Sequence, residues 1–194
     1  MNSTEAEKQP LLVAITGATG VIYGVELLRV LQQLKQPMHL VMSEAAMMTL
    51  AIETDYSVEE VRALADVVYS NKDIGAAVAS GTFQTRGMVI APCSIKTLSA
   101  IAHSYSSTLI ARAADVMLKE RRPLVLMVRE TPLHKGHLEL MMRAADYGAV
   151  ILPPMPAFYD QPQTLMDVVH QGVGKVLDQL GIIHSLRPRW QGRP

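Results

Sequence analysis

The chain has 194 residues, 49% of them hydrophobic, and its 18 lysines and arginines balance 18 aspartates and glutamates. That size suits one compact core, and the zero net charge excludes a global field steering it toward nucleic acid or an anionic membrane. The lone cysteine, Cys93, cannot pair within the chain, the opening MNSTEAEKQP is polar rather than a signal core, and every apolar run falls far short of the about 20 residues a membrane helix needs.

These features lead to the expectation of a single domain over 1–194 in a reducing cytoplasm, with 1–10 and 191–194 as mobile tails. Residues 11–16 form an apolar run closed by Gly17-Ala18-Thr19-Gly20, and from Val21 onward Val25, Leu28, Leu31 and Leu34 recur at helical spacing. The pattern predicts strand, tight turn and helix. A strand at 38–42 and a helix at 43–52 follow, then a helix near 57–65, a strand at 87–91 and a helix opening at Pro92-Cys93-Ser94. Further on come a helix at 107–120, a strand at 124–128, a helix at 136–147, a strand at 149–152 and a last helix at 163–180. Strands apolar along their length and alternating with helices predict an α/β fold whose mostly parallel sheet is covered on both faces. Pro153-Pro154-Met155-Pro156 is too short to separate two cores and reads as a stiff, shaped loop.

In such a sheet, ligands collect at the carboxyl ends of the strands, where helix N-termini present free amides. The first turn, TGATG, puts Gly17 and Gly20 where the backbone must bend sharply and come close to a phosphate or flat ring, but its spacing is not the dinucleotide G-x-G-x-x-G. Ser43, followed by Glu44, stands at the end of the second strand where a ribose-binding acid would be favoured, which lowers a dinucleotide reading. Pro92-Cys93-Ser94-Ile95-Lys96-Thr97 offers two hydroxyls and consecutive amides at another helix start, a second candidate phosphate cradle, although Ser94 as a plain helix cap would look the same.

Arg129-Glu130 ends the next strand. Arginine suits two-pronged binding of phosphate or a ring carbonyl, and a neighbouring glutamate can exchange a proton with a leaving phosphate; a structural ion pair is the plain alternative. Lys119-Glu120-Arg121-Arg122 closes a helix, where Arg121 and Arg122 read as solvated cations at the helix end. His134 and His137 form H-x-x-H beside Glu139 but lack a further ligand motif, so no metal is expected.

Together TGATG, the stretch from Ser43 ending in ETD, APCSIKTLSAIA, RAADVMLKERRPLVLMVRETP and PPMPAFYDQPQT closely resemble the flavin prenyltransferases of the UbiX type, over about 13–190. The resemblance implies a Rossmann-like (flavodoxin-like) three-layer fold, a homododecamer with active sites at subunit boundaries, and FMN in reduced form as prenyl acceptor. The implied reaction joins the dimethylallyl group of dimethylallyl phosphate to flavin N5 and C6, and the prenylated FMN passes to a UbiD-type decarboxylase. By position, Gly17, Ala18, Thr19, Ser43, Ser94, Ile95, Lys96, Thr97 and Arg129 match the FMN contacts, and Glu53 matches a glutamate lining the flavin site. Lys119, Glu130, Tyr159 and Lys175 match residues around the allylic phosphate, Arg129 adds charge there, and Trp190 matches an aromatic near the prenyl group. The expected catalytic set is Thr19, Glu53, Lys119, Glu130 and Tyr159.

Those residue types suit the chemistry, since an alkyl phosphate leaves more easily when cations and acidic hydrogens neutralise its growing charge, and a dry pocket denies water to an allylic cation. The chain departs from the family at Thr19, where serine is frequent, at Val21, where alanine is usual, and at His134-Lys135-Gly136-His137-Leu138-Glu139-Leu140. A non-catalytic FMN-binding subunit of an aromatic-acid decarboxylase and an FMN-dependent cysteine-type decarboxylase are the alternatives. Relatives of the second kind carry a PASANT-like motif and a catalytic histidine after the first helices, and PCSIKT here, with no histidine in that helix, argues against it.

Overall fold

The computed structural model describes residues 9–186 and 192. Its six strands are β1 (Leu11–Ile15), β2 (Met38–Met42), β3 (Val67–Ser70), β4 (Gly87–Cys93), β5 (Leu124–Val128) and β6 (Val150–Ile151). The helices among the described residues are α1 (Val21–Gln33), α2 (Glu44–Glu53), α3 (Val58–Arg62), α4 (Ile95–Ala102), α5 (Leu109–Lys119), α6 (Lys135–Asp146) and α7 (Leu165–Gln179), with 3-10 turns at Ala77–Ala79 and Phe158–Asp160.

The strands lie in the order β3-β2-β1-β4-β5-β6 and every pairing is parallel. That is the doubly wound Rossmann-like arrangement, in three layers, with its topological switch between β1 and β4. Alternation along the strands divides the core in two. Leu11, Val13, Ile15, Leu40, Val89 and Val125 pack with α1, α2, α3 and α7 on one face. Leu12, Ala14, Val41, Ile90, Leu124 and Leu126 pack with α4, α5 and α6 on the other. β1 is buried on both sides at all five residues, which is why its sequence is a continuous apolar run rather than an alternating one.

The expected strands and helices appear with ends shifted by a residue or two, except near the edge. The helix expected at 57–65 stops at Arg62, and β3, which the pattern reading left out, pairs with β2 through Leu40 and Val68. β3 is a four-residue edge strand whose Val67 and Val68 stay partly exposed, so neither alternation nor full burial marks it in sequence. Pro92 cannot donate to the ladder, and the β4–β5 register shifts between Ile90 and Cys93.

Gln9 and Pro10, expected in a mobile tail, are tied down: Arg86 N–H donates to Pro10 O at 3.0 Å, and Gln36 Nε2 to Gln9 O at 3.1 Å. The remaining tail positions lie outside the described residues apart from Gly192. The reading of Arg122 as a solvated helix end is corrected. Its two terminal nitrogens donate to the carbonyls of Phe83 and Gly81, each at 2.6 Å, so it clamps the loop that leads into β4. None of the described helices is long and apolar enough to cross a membrane.

Candidate active site

The strand order reverses between β1 and β4, the place where open parallel sheets take their ligands, and α1, α2 and α4 all begin at the carboxyl ends of the strands there. α1 begins after Gly20, whose φ of 93° lies in the left-handed region that favours glycine, so its start carries no capping side chain of its own. Glu53, at the far end of α2, supplies the cap instead: its Oε2 accepts from Gly20 N–H at 2.8 Å and Val21 N–H at 3.1 Å. A carboxylate thus rests on the anion-attracting start of α1, at the same turn as Ala18 and Thr19. Gly17 allows that turn to lie against α2, since a Cβ there would come within 2.3 Å of the Ala45 Cβ.

The second helix start is Ser43, whose Oγ accepts from Ala46 N–H at 3.0 Å while its own N–H donates to Ile15 O. Beside it Glu44 pairs with Lys72 at 2.5 Å, and that contact holds the Glu44 carboxyl below its ordinary range. The third start is Ser94, whose Oγ accepts from Thr97 N–H at 3.3 Å and lies 3.2 Å from Thr97 Oγ1. Ser94 therefore caps α4 as the plain reading held, and it does so at the strand edge where a phosphate cradle was expected. Ile95 and Lys96 form the first turn of α4.

Arg129 follows β5 at the same edge, fixed by its N–H donating to Cys93 O at 3.1 Å. Its half-buried guanidinium makes no hydrogen bond or ion pair with a described residue, so the Arg129-Glu130 structural ion pair is absent. Glu130 Oε1 instead accepts from Thr131 N–H at 2.9 Å. The loop after β6 carries Tyr159 on the Phe158–Asp160 turn, again at the carboxyl edge. Buried Gln171 of α7 clamps this loop by donating to Ala157 O and accepting from Ala157 N–H, both at 2.9 Å.

Two expected phosphate residues are not gathered here by one chain. Lys119 closes α5, which runs back to the amino end of β5, and its Nζ pairs with Glu120 at 2.5 Å beside Gly81, ahead of β4. It stands at the opposite edge of the sheet from Arg129. Lys175 is exposed on α7, about 15 Å along the helix from its first residue. Trp190 lies outside the described residues.

His134 and His137 stack with ring centroids 3.5 Å apart, and His134 Nδ1 accepts from Gly136 N–H. Among the described residues no three histidine, cysteine, aspartate or glutamate side chains are grouped to hold a metal ion. Pattern reading also passed over Thr16, the buried hydroxyl between β1 and the glycine turn, because a threonine at a strand end carries no signature of its own. The donor set suits FMN: hydroxyls of Thr19, Ser43, Ser94 and Thr97, amides at helix starts, and an unpaired guanidinium together match a phosphate and a flat ring bearing carbonyls.

Residues 1–184 match the model of the family described as Flavoprotein. Flavin prenyltransferase UbiX of Escherichia coli K12 is 62% identical over 185 residues, covering 94% of this chain and 98% of that protein. A UbiX crystallised in complex with FMN and dimethylallyl pyrophosphate superposes with a TM-score of 0.94 at 46% identity, over 96% of this chain and all of that one. A dodecameric FMN-dependent UbiX-like decarboxylase from Escherichia coli O157:H7 gives 0.92 at 48% identity, over 94% of this chain and 100% of that one. Identity at this level across nearly the whole chain, on the same doubly wound fold, means that the chain belongs to the Flavoprotein family and, within it, to the flavin prenyltransferases of the UbiX type.

Proposed function

We propose that this chain joins the dimethylallyl group of dimethylallyl phosphate to reduced FMN, at a site that one subunit begins and another completes. The observation that carries the reading is the convergence of the α1, α2 and α4 starts with the unpaired Arg129 at the switch of the sheet. FMN, when bound, supplies the nucleophilic nitrogen and ring carbon to which the prenyl group is joined.

The chain's own residues then divide the work. Ala18, Thr19, Ser43, Ser94, Ile95, Lys96, Thr97 and Arg129 hold the cofactor, the amides and hydroxyls on its phosphate and polar edges. Glu53 holds or moves a proton beside the ring, a role supported by its seat on the α1 start. Glu130 and Tyr159, at the same edge, serve the leaving phosphate as proton donor and hydroxyl. Lys119 and Lys175 add cationic charge from a neighbouring subunit, because within one chain Lys119 faces the wrong edge of the sheet. The product goes to a UbiD-type decarboxylase, so the purified chain alone does not decarboxylate aromatic acids. A cytoplasmic setting belongs to the same proposal, supported by the single buried thiol.

Incubation with reduced FMN and dimethylallyl phosphate should yield a flavin heavier by one C5H8 unit in mass spectrometry. A flavin of unchanged mass in the presence of correctly assembled protein would overturn the proposal.

A further inference from the structure

We infer that Thr16 is the positioning residue that sets the two cofactor cradles at a fixed distance, and that its hydroxyl is needed for tight FMN binding. The inference rests on the proposed FMN site.

Thr16 is the first residue after β1 and is 1% exposed. Its N–H donates to Pro92 O at 3.2 Å, and its Oγ1 donates to the same carbonyl at 2.7 Å. With its proton committed, Oγ1 also accepts from Ser94 N–H at 2.8 Å. Its own carbonyl accepts from Ala18 N–H at 2.9 Å, which starts the glycine turn. One side chain therefore joins the end of β1 to the end of β4 across the switch point and holds Ser94, the residue that caps α4 and aligns its first amides.

A ligand lying in the crevice touches the turn after β1 and the start of α4 at once, so its affinity depends on the two being set in advance. Without the Thr16 hydroxyl, the amide of Ser94 loses its acceptor in a partly buried place, while Pro92 O keeps only the Thr16 N–H. The loss acts on how well the cradle is formed rather than on a reacting atom. It should raise the dissociation constant and the KM for FMN and leave kcat at saturating FMN nearly unchanged.

The test is titration of FMN into wild type, Thr16→Val, Thr16→Ser and Val13→Ala, followed by flavin fluorescence, with thermal melting of each protein. Thr16→Val keeps the shape and should weaken FMN binding by about tenfold, the scale of one part-buried amide left without its acceptor. Thr16→Ser restores the hydroxyl and should bind within about twofold of wild type. Val13→Ala, a core change away from the crevice, should lower the melting temperature without weakening FMN. If Thr16→Val does not fold, Thr16→Ala removes the same hydroxyl and takes its place. Wild-type affinity in the hydroxyl-less variant, no rescue by serine, or equal weakening in Val13→Ala would each overturn the inference. Failure of wild type itself to bind FMN would instead sink the cofactor reading on which it rests.

Discussion

Cys93 closes β4 inside the core, and burial pushes its thiol up to about 12 from an ordinary value of 9.0. The thiolate is the reactive form. Native protein at pH 8 should therefore resist iodoacetamide while urea-unfolded protein is alkylated, as intact mass would show; rapid native labelling would contradict the buried placement. The folded chain keeps this proton between about pH 9 and about 12, where the unfolded chain loses it, so the thiol makes stability fall as pH rises through that window. At this same scale Lys119 and Arg122 look alike in sequence, both cations near a helix end. Their partners separate them. Arg122 is spent on two backbone carbonyls within its own chain, whereas among the described residues Lys119 makes an exposed ion pair with its neighbour, and that contact holds the Glu120 carboxyl below its ordinary range.

At the scale of elements, α1 sits on the sheet through Gly24, where a Cβ would stand 2.3 Å from Ala91 O and 2.9 Å from the side chain of Ile15. Gly24→Ala must push the helix off β1 and β4, and it should cost about 1–3 kcal/mol in urea unfolding. Caps act more gently. Thr108 accepts from Ala111 N–H at the start of α5, and Thr108→Ala should cost about 1 kcal/mol by the same measurement. The loop that carries Tyr159 is tied to α7 in part by Gln171, which brackets Ala157. Gln171→Leu removes both bonds to Ala157, so limited proteolysis should cut near 157–163 faster than in wild type while the melting curve keeps its cooperative form. Equal cutting rates would show that the proline run holds the loop without the clamp.

Across the whole molecule, large apolar side chains remain on the surface of the single chain: Ile52 and Leu165 are each 83% exposed, Met155 76% and Phe158 75%. They lie between the end of α2 and the start of α7, beside the carboxyl edge of the sheet. Apolar groups so exposed on a small chain call for a cover, and further copies of this chain are the cover the proposed composite site requires. Native mass spectrometry should find twelve 21.2 kDa chains in one assembly. Lys119 and Arg129 face opposite edges of the sheet, so a composite site makes a sharper demand. Lys119→Ala and Arg129→Ala should each abolish prenyl transfer, and subunit exchange between the two inactive proteins should restore part of it. No recovery in mixed oligomers would overturn the composite site.

The sequence by itself determined most of the architecture, because strands buried on both faces must be apolar throughout and the helices between them must repeat their apolar residues at helical spacing. It likewise marked Gly17, Gly20, Ser43, Ser94 and Arg129, since strand ends in a parallel sheet are where turn glycines, caps and stray charges have to sit. Edge strand β3 escaped because an exposed strand of four residues obeys neither pattern. Thr16 escaped because its role is made by Pro92 and Ser94, which lie more than seventy residues away. Only the tertiary structure decided that Lys119 faces away from Arg129, because the path of a crossover helix, not the residue type, chooses the edge of the sheet on which its last turn ends.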